Sequence, residues 1–147
     1  MATYYSEQVT NEVNGLTPAK DLAAPERRYW GFVVPAGGYA AGSIIVLAKI
    51  PAGKRMLGGL WLNTAGGAAA TGKIQDYRTT DVSPTGLGTD SKWGTLTDMT
   101  GATSQTFGNT NAKNFGSIDT VDRFLAVLTA AQTIAAGTIL QGYVDLQ

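Results

Sequence analysis

Hydroxyl nucleophiles, carboxylates and glycine-rich turns are the residues of this chain that could carry chemistry. Ser6, Ser43, Ser83, Ser91, Ser104 and Ser117 supply the serine hydroxyls. A serine becomes a nucleophile only when a base takes its proton. The chain has no histidine and no cysteine, which removes the imidazole base, the thiolate nucleophile and Cys/His zinc sites together. Ser91-Lys92 is the remaining base-bearing arrangement, but neighbours on a strand point to opposite faces, so the two would not meet unless they lay in a loop.

Paired carboxylates could hydrolyse glycosides. Asp76, Asp81, Asp90, Asp98, Asp119 and Asp122 are available, and most fall in a Gly/Thr-rich stretch where Asp commonly bonds to its own backbone in turns. Asp119 and Asp122 could also chelate a cation, yet no calcium-loop spacing surrounds them. Gly66-Gly67 and Gly86-Leu87-Gly88 lack the Lys-Ser/Thr and the helix start of a phosphate loop. No catalytic residue, cofactor site or metal site is expected, and the chain reads as non-enzymatic.

Net charge is zero, from 11 basic and 11 acidic residues, and only 15% of the chain is charged. Arg27-Arg28 and Lys54-Arg55 are isolated doublets, unlike the basic stripes that displace phosphate counterions, so no nucleic-acid partner is expected. The start, Met1 to Glu7, has neither the basic nor the apolar region of a signal peptide. The longest apolar run, Ile44 to Ala48, is far short of the ~20 residues that cross a bilayer. No membrane partner is expected, and synthesis without export in a reducing cytoplasm fits the absence of cysteine.

The elements that would position these residues read as β. Residues 1–24 are polar, lack periodicity and are expected to form an extended N-terminal arm, with Thr17-Pro18 able to open a short helical turn. Residues 25–147 are expected to form a single antiparallel β-sandwich domain. Strands are expected over Tyr29–Val34, Ser43–Ile50 and Arg55–Asn63, apolar enough to be buried on both faces by a second sheet and a partner subunit. In the third, Met56, Leu60 and Leu62 would share one face, with Leu57 and Trp61 on the other. Ala70–Gln75 alternates as a half-exposed strand. Residues 78–120 form a long excursion with short strands, pinned by Leu87, Trp93, Leu96, Met99, Phe107 and Phe115.

The end of the chain repeats an earlier pattern. Arg28-Tyr29-Trp30-Gly31-Phe32-Val33, followed by Ala40-Ala41-Gly42-Ser43-Ile44-Ile45, matches Arg123-Phe124-Leu125-Ala126-Val127-Leu128, followed by Ala135-Ala136-Gly137-Thr138-Ile139-Leu140, at one constant offset. Val121, Phe124, Leu125 and Leu128 also fit helical spacing. Pro35 and Gly37-Gly38 in the first copy favour strand for both, as two strand–turn–strand hairpins.

Ile50-Pro51-Ala52-Gly53-Lys54-Arg55-Met56-Leu57-Gly58-Gly59, together with Asp122-Arg123-Phe124-Leu125-Ala126-Val127 and Ala136-Gly137-Thr138-Ile139, resembles small structural proteins of tailed-bacteriophage heads, the capsid decoration or cement proteins. The resemblance covers about Arg28 to Asp76 and Val121 to Leu146 and rests on scaffold motifs. It implies a β-sandwich of jelly-roll type on the capsid exterior, a homo-oligomer with a trimer favoured, and the major capsid protein lattice as partner. Partner contacts are expected from the arm and the excursion, at Tyr4, Tyr5, Leu16, Leu22, Trp93, Phe107 and Phe115. The other reading is a tail-fibre or receptor-binding sandwich that uses Trp93 with Asp81 or Asp98 on saccharide. The core is expected at Trp30, Phe32, Ile44, Val46, Leu60, Leu62, Phe124, Val127 and Val144.

Overall fold

The computed structural model describes residues 2–6, 9, 26–81, 93–108 and 120–147. The described residues form nine strands: β1 (Thr3–Tyr5), β2 (Glu26–Val33), β3 (Ile44–Ile50), β4 (Met56–Asn63), β5 (Thr71–Arg78), β6 (Gly94–Leu96), β7 (Thr103–Phe107), β8 (Arg123–Ala130) and β9 (Ile139–Leu146). A five-stranded sheet runs β1-β3-β8-β5-β6 and a four-stranded sheet runs β2-β9-β4-β7. All pairs are antiparallel except β1 with β3. The all-β, antiparallel sandwich expected from alternation and turn chemistry is the architecture found.

The pairing is nested. β2 pairs with β9, β3 with β8, β4 with β7 and β5 with β6, as though a long antiparallel hairpin had been rolled up. The β9–β4 and β8–β5 pairs then join the halves of each sheet. Inward-facing Trp30, Phe32, Ile45, Leu47, Trp61, Ile74, Leu125, Val127, Leu140 and Val144 fill the space between the sheets. At roughly 25 cal/mol per Å² of buried apolar surface, this core is the main stabilising term.

The repeated sequence pattern has a structural counterpart, but not as two hairpins. The first strand of each copy pairs with the second strand of the other, β2 with β9 and β3 with β8. Each copy is therefore an arch that crosses from one sheet to the other. Gly42 N–H donates to Thr129 O and Gly137 N–H to Val34 O, both at 2.8 Å. Val34 N–H to Thr138 O and Thr129 N–H to Ser43 O are a second matched pair, both at 2.9 Å. Tyr39 and Ile134, at equivalent positions in the two copies, bond to each other in both directions and so mark a local two-fold axis.

Gly42 and Gly137 both sit at φ +84°, and open space surrounds the Cβ that each lacks. Their requirement for glycine is conformational, not steric. Gly42→Ala and Gly137→Ala are each expected to lose about 1–2 kcal/mol, and to lose similar amounts. Urea unfolding of the two variants checks this; a difference above about 1 kcal/mol would show that the two turns are not equivalent.

Two expectations about faces need correction. A bulge between Met56 and Gly58 shifts the alternation of β4. Met56 and Trp61 therefore both face the core, while Leu60 and Leu62 turn to the outer face of the four-stranded sheet. β2 is an edge strand that alternates, with Tyr29 61% and Val33 69% exposed, so it is not buried on both faces. β3 is so buried, but the chain's own N-terminal segment covers its outer side. Ile44, Val46 and Phe124 belong with Val9 and Ala126 to a second cluster outside the five-stranded sheet.

Candidate contact surfaces

The two outer faces of the sandwich differ. On the four-stranded sheet, cross-strand register places Tyr29, Tyr143, Leu60 and Thr106 in one row. The rows on either side hold Gly31, Gln141, Leu62 and Ser104, and Arg27 with Asp145. Val33 and Ile139 (41% exposed) close one end of the face. Isolated exposed apolar side chains are ordinary, but a contiguous aromatic and aliphatic patch with a polar rim is the surface character of an interaction site.

This face is preorganised. Arg27 donates from Nε to Asp145 Oδ1 at 2.7 Å and from Nη2 to Oδ2 at 2.9 Å. Its guanidinium lies 3.7 Å from the centroid of the Tyr143 ring. Tyr29 meets Tyr143 edge-on at 6.1 Å. The hydrogen bond to Asp145 raises the Arg27 pKa further above its ordinary value. A groove of about 360 Å³ opens beside it, lined by Leu57, Gly58, Gly59, Thr106, Phe107, Tyr143 and Asp145. A Cβ at Gly59 would stand 2.3 Å from Tyr143 O and 2.5 Å from Phe107 Cζ, so Phe107 fills the space under this glycine from the core side.

On the five-stranded sheet the outer face is partly covered. β1 lies parallel to β3, and Val9 is fully buried among Ile44, Val46, Phe124 and Ala126. Tyr77 packs at the border of this cluster, and its burial pushes the phenol pKa up to about 12. Burial also raises that of Tyr39, which stacks on Tyr4 with ring centroids 4.1 Å apart.

At one end of the sandwich, inward-facing charges replace apolar residues. Arg123, 4% exposed, pairs with Asp76 and reaches Lys54 O at 3.4 Å. Arg28 pairs with Glu26 and donates to Lys49 O at 2.8 Å. Asp122 accepts from Ala52 N–H at 2.8 Å and pairs with Lys49 at 3.0 Å. Those contacts, led by the Ala52 hydrogen bond, hold its carboxyl below the ordinary value. Its folded pKa is depressed, so its contribution to stability is present at neutral pH and lost as pH falls through that depressed value. These charges anchor the β3–β4 turn from both sheets.

The structure distributes the sequence-predicted contact residues unevenly. Tyr4 is half-buried and Tyr5 is 47% exposed, both in β1 against the chain's own β3. Trp93 (1% exposed) and Phe107 (5%) are core residues: β6 and β7 extend the two sheets, and both rings turn into the space between them. Trp93 is not available for a surface contact in this fold, and Phe107 reaches the surface only where it lines the groove beside Gly58 and Gly59. Leu16, Leu22 and Phe115, like Ser91-Lys92, Asp90 and Asp119, lie outside the described residues.

The carboxylates are scattered. Asp98 accepts from the Thr100 hydroxyl and from Thr100 N–H (2.9 Å) in its own turn, which together lower its pKa, while Asp76 is committed to Arg123. Among the described residues no group of three His, Cys, Asp or Glu could hold a metal ion. Sequence reasoning missed Arg27, Tyr29, Val33, Tyr143 and Asp145 as a surface. The available signal was strict alternation in β2 and β9, which puts these residues on the side opposite Trp30, Phe32 and Val144.

No protein-family model and no curated protein matches the sequence. Among solved structures, a chain of the capsid of Ralstonia phage GP4 is similar at 18% sequence identity with a TM-score of 0.72. The match covers 99% of this chain and 97% of that one. Coverage of nearly both chains means the similarity extends over the whole arrangement of strands, and this protein shares the fold of a chain from that phage capsid.

Proposed function

We propose that the chain is a non-enzymatic virion structural protein of a tailed bacteriophage, and that it decorates the exterior of the capsid. The observation that carries this reading is the near end-to-end likeness to a phage-capsid chain. The nested strand order supports a jelly-roll reading, an architecture used by viral capsid proteins, and the head-protein resemblance of the β3–β4 turn and the closing strands points the same way. The surface offered to the capsid lattice is the outer face of the four-stranded sheet, centred on Tyr29, Tyr143 and Leu60.

The mechanism is mechanical. A protein that binds only the assembled lattice stabilises it by mass action, because every bound copy must be released before the shell comes apart. A trimer on a symmetry axis would engage three equivalent contacts at once and gain avidity. The saccharide reading has less support: Trp93 is inside the core, and Arg27 covers one face of Tyr143.

Purified protein mixed with capsids that lack it is expected to bind at micromolar concentration or below and to raise the temperature at which the shells open. Val33→Asp places a charge on the exposed edge of the patch and is expected to weaken binding at least 10-fold without unfolding the protein. Absence of binding by the unaltered protein would overturn the proposal.

A further inference from the structure

The cover on the five-stranded sheet is built as a separable plug. Ile44 N–H donates to Ala2 O at 2.9 Å and Ser6 N–H donates to Val46 O at 3.1 Å, which holds β1 along β3. Ser6 Oγ donates to Leu47 O at 3.0 Å and accepts from Val9 N–H at 3.2 Å, turning the chain over the face. Tyr4 stacks on Tyr39, Tyr5 meets Phe124 edge-on at 5.8 Å, and Val9 fills the cluster. That cluster is distinct from the main core, which the plug touches through Tyr4, and among the described residues β1 pairs with no strand other than β3. Removing the plug would leave every other strand pair intact.

We propose that this seat is an exchange site, in which Ala2–Ser6 and Val9 of one copy occupy the β3–β8 face of a second copy of this chain. The contacts made in exchange are the same as those made within one chain, so exchange costs only the difference between tethered and free encounter. A parallel strand cannot be joined to its neighbour by a tight turn; it needs a long connection. Residues 10–25 between the plug and β2 reach roughly 50 Å when extended, more than the ~40 Å width expected of a body this size. A tether of this length gives an effective concentration of about 1 mM. Exchange therefore becomes substantial when copies are concentrated to that level. The inference does not depend on the capsid reading.

The chain has no cysteine, which makes engineered thiols unambiguous. Thr3 and Ile44 are register partners, as are Tyr5 and Val46. The variants Thr3→Cys and Ile44→Cys, each in a separate full-length chain, would be mixed unfolded, refolded together and treated with a short bis-maleimide. Tyr5→Cys with Val46→Cys forms the second pair. Double variants refolded at about 10 μM are expected to cross-link within one chain, which establishes reach. The mixed single variants are expected to give cross-linked heterodimer at about 1 mM, and roughly 100-fold less of it at about 10 μM. Heterodimer absent at about 1 mM from a pair that closes within one chain would overturn exchange. Failure of both double variants to close would overturn the seat itself.

Discussion

Asp76→Ala is expected to destabilise the protein by about 3–5 kcal/mol, a large share of the ~5–15 kcal/mol that holds a domain of this size together. Arg123 projects from β8 into the space between the sheets, where its side chain is 5% exposed and that of Asp76 2%. Its Nε has no hydrogen-bond partner among the described residues. Taking away the carboxylate would strand a guanidinium that water does not reach. Arg123→Met alone would remove the charge that demands a partner, but it leaves Asp76 buried in turn. The double variant Asp76→Leu with Arg123→Met is expected to recover most of the loss, because a buried pair is far cheaper to replace than to break. Urea unfolding of the single and double variants measures this coupling. A loss below about 1 kcal/mol in Asp76→Ala would mean that solvent reaches the pair.

Gly142→Ala is the second large effect. The added Cβ would stand 2.0 Å from Leu60 O and 2.6 Å from Trp30 Cζ2. The first of these atoms is backbone of the neighbouring strand β4, so relief requires β4 and β9 to part. Trp30 cannot easily yield either, since it packs against Phe107 with centroids 6.0 Å apart. A loss of about 3 kcal/mol or more is expected, at the upper end of overpacking costs. The control is Gly31→Ala, on the outer face of the adjacent strand, where a Cβ would meet nothing within 4 Å. There, alanine in a strand is expected to gain up to about 0.5–1 kcal/mol. Opposite signs at these two glycines, measured by thermal unfolding, would confirm which face of the sheet is packed. A mild effect at Gly142 would contradict the close approach of β4 and β9.

Much of the sandwich is legible in the sequence, because its strands advertise themselves by alternation and its turns by Pro-Ala-Gly and Ala-Ala-Gly. β9 is the clearest case: Leu140, Val144 and Leu146 face in and Gln141, Tyr143 and Asp145 face out, as the alternation implies. Strand partners were not legible. The two copies of the repeat look like hairpins because each places a strand, a turn and a strand in succession. Local sequence does not encode that the turn is a corner between sheets. The face of Leu60 and Leu62 is hidden from the sequence for a related reason. A bulge adds one residue, and a period of two then inverts everything beyond it.

The contact residues were the least legible. Trp93 and Phe107 stand among Thr, Gly and Ser, where an aromatic ring suggests an exposed anchor; in three dimensions they extend the core beneath β6 and β7. Tyr29 and Val33, in a segment that looks wholly apolar, are the exposed ones, because β2 is an edge strand whose outer face nothing among the described residues covers.

The proposed capsid role is tested most directly by electron cryomicroscopy of tailed-phage virions that carry this chain. Density for the sandwich is expected on the outside of the shell at regular lattice positions, with the face bearing Tyr29, Leu60 and Tyr143 turned to the capsid surface. Shells free of such density, or the sandwich found at the tip of the tail, would contradict it.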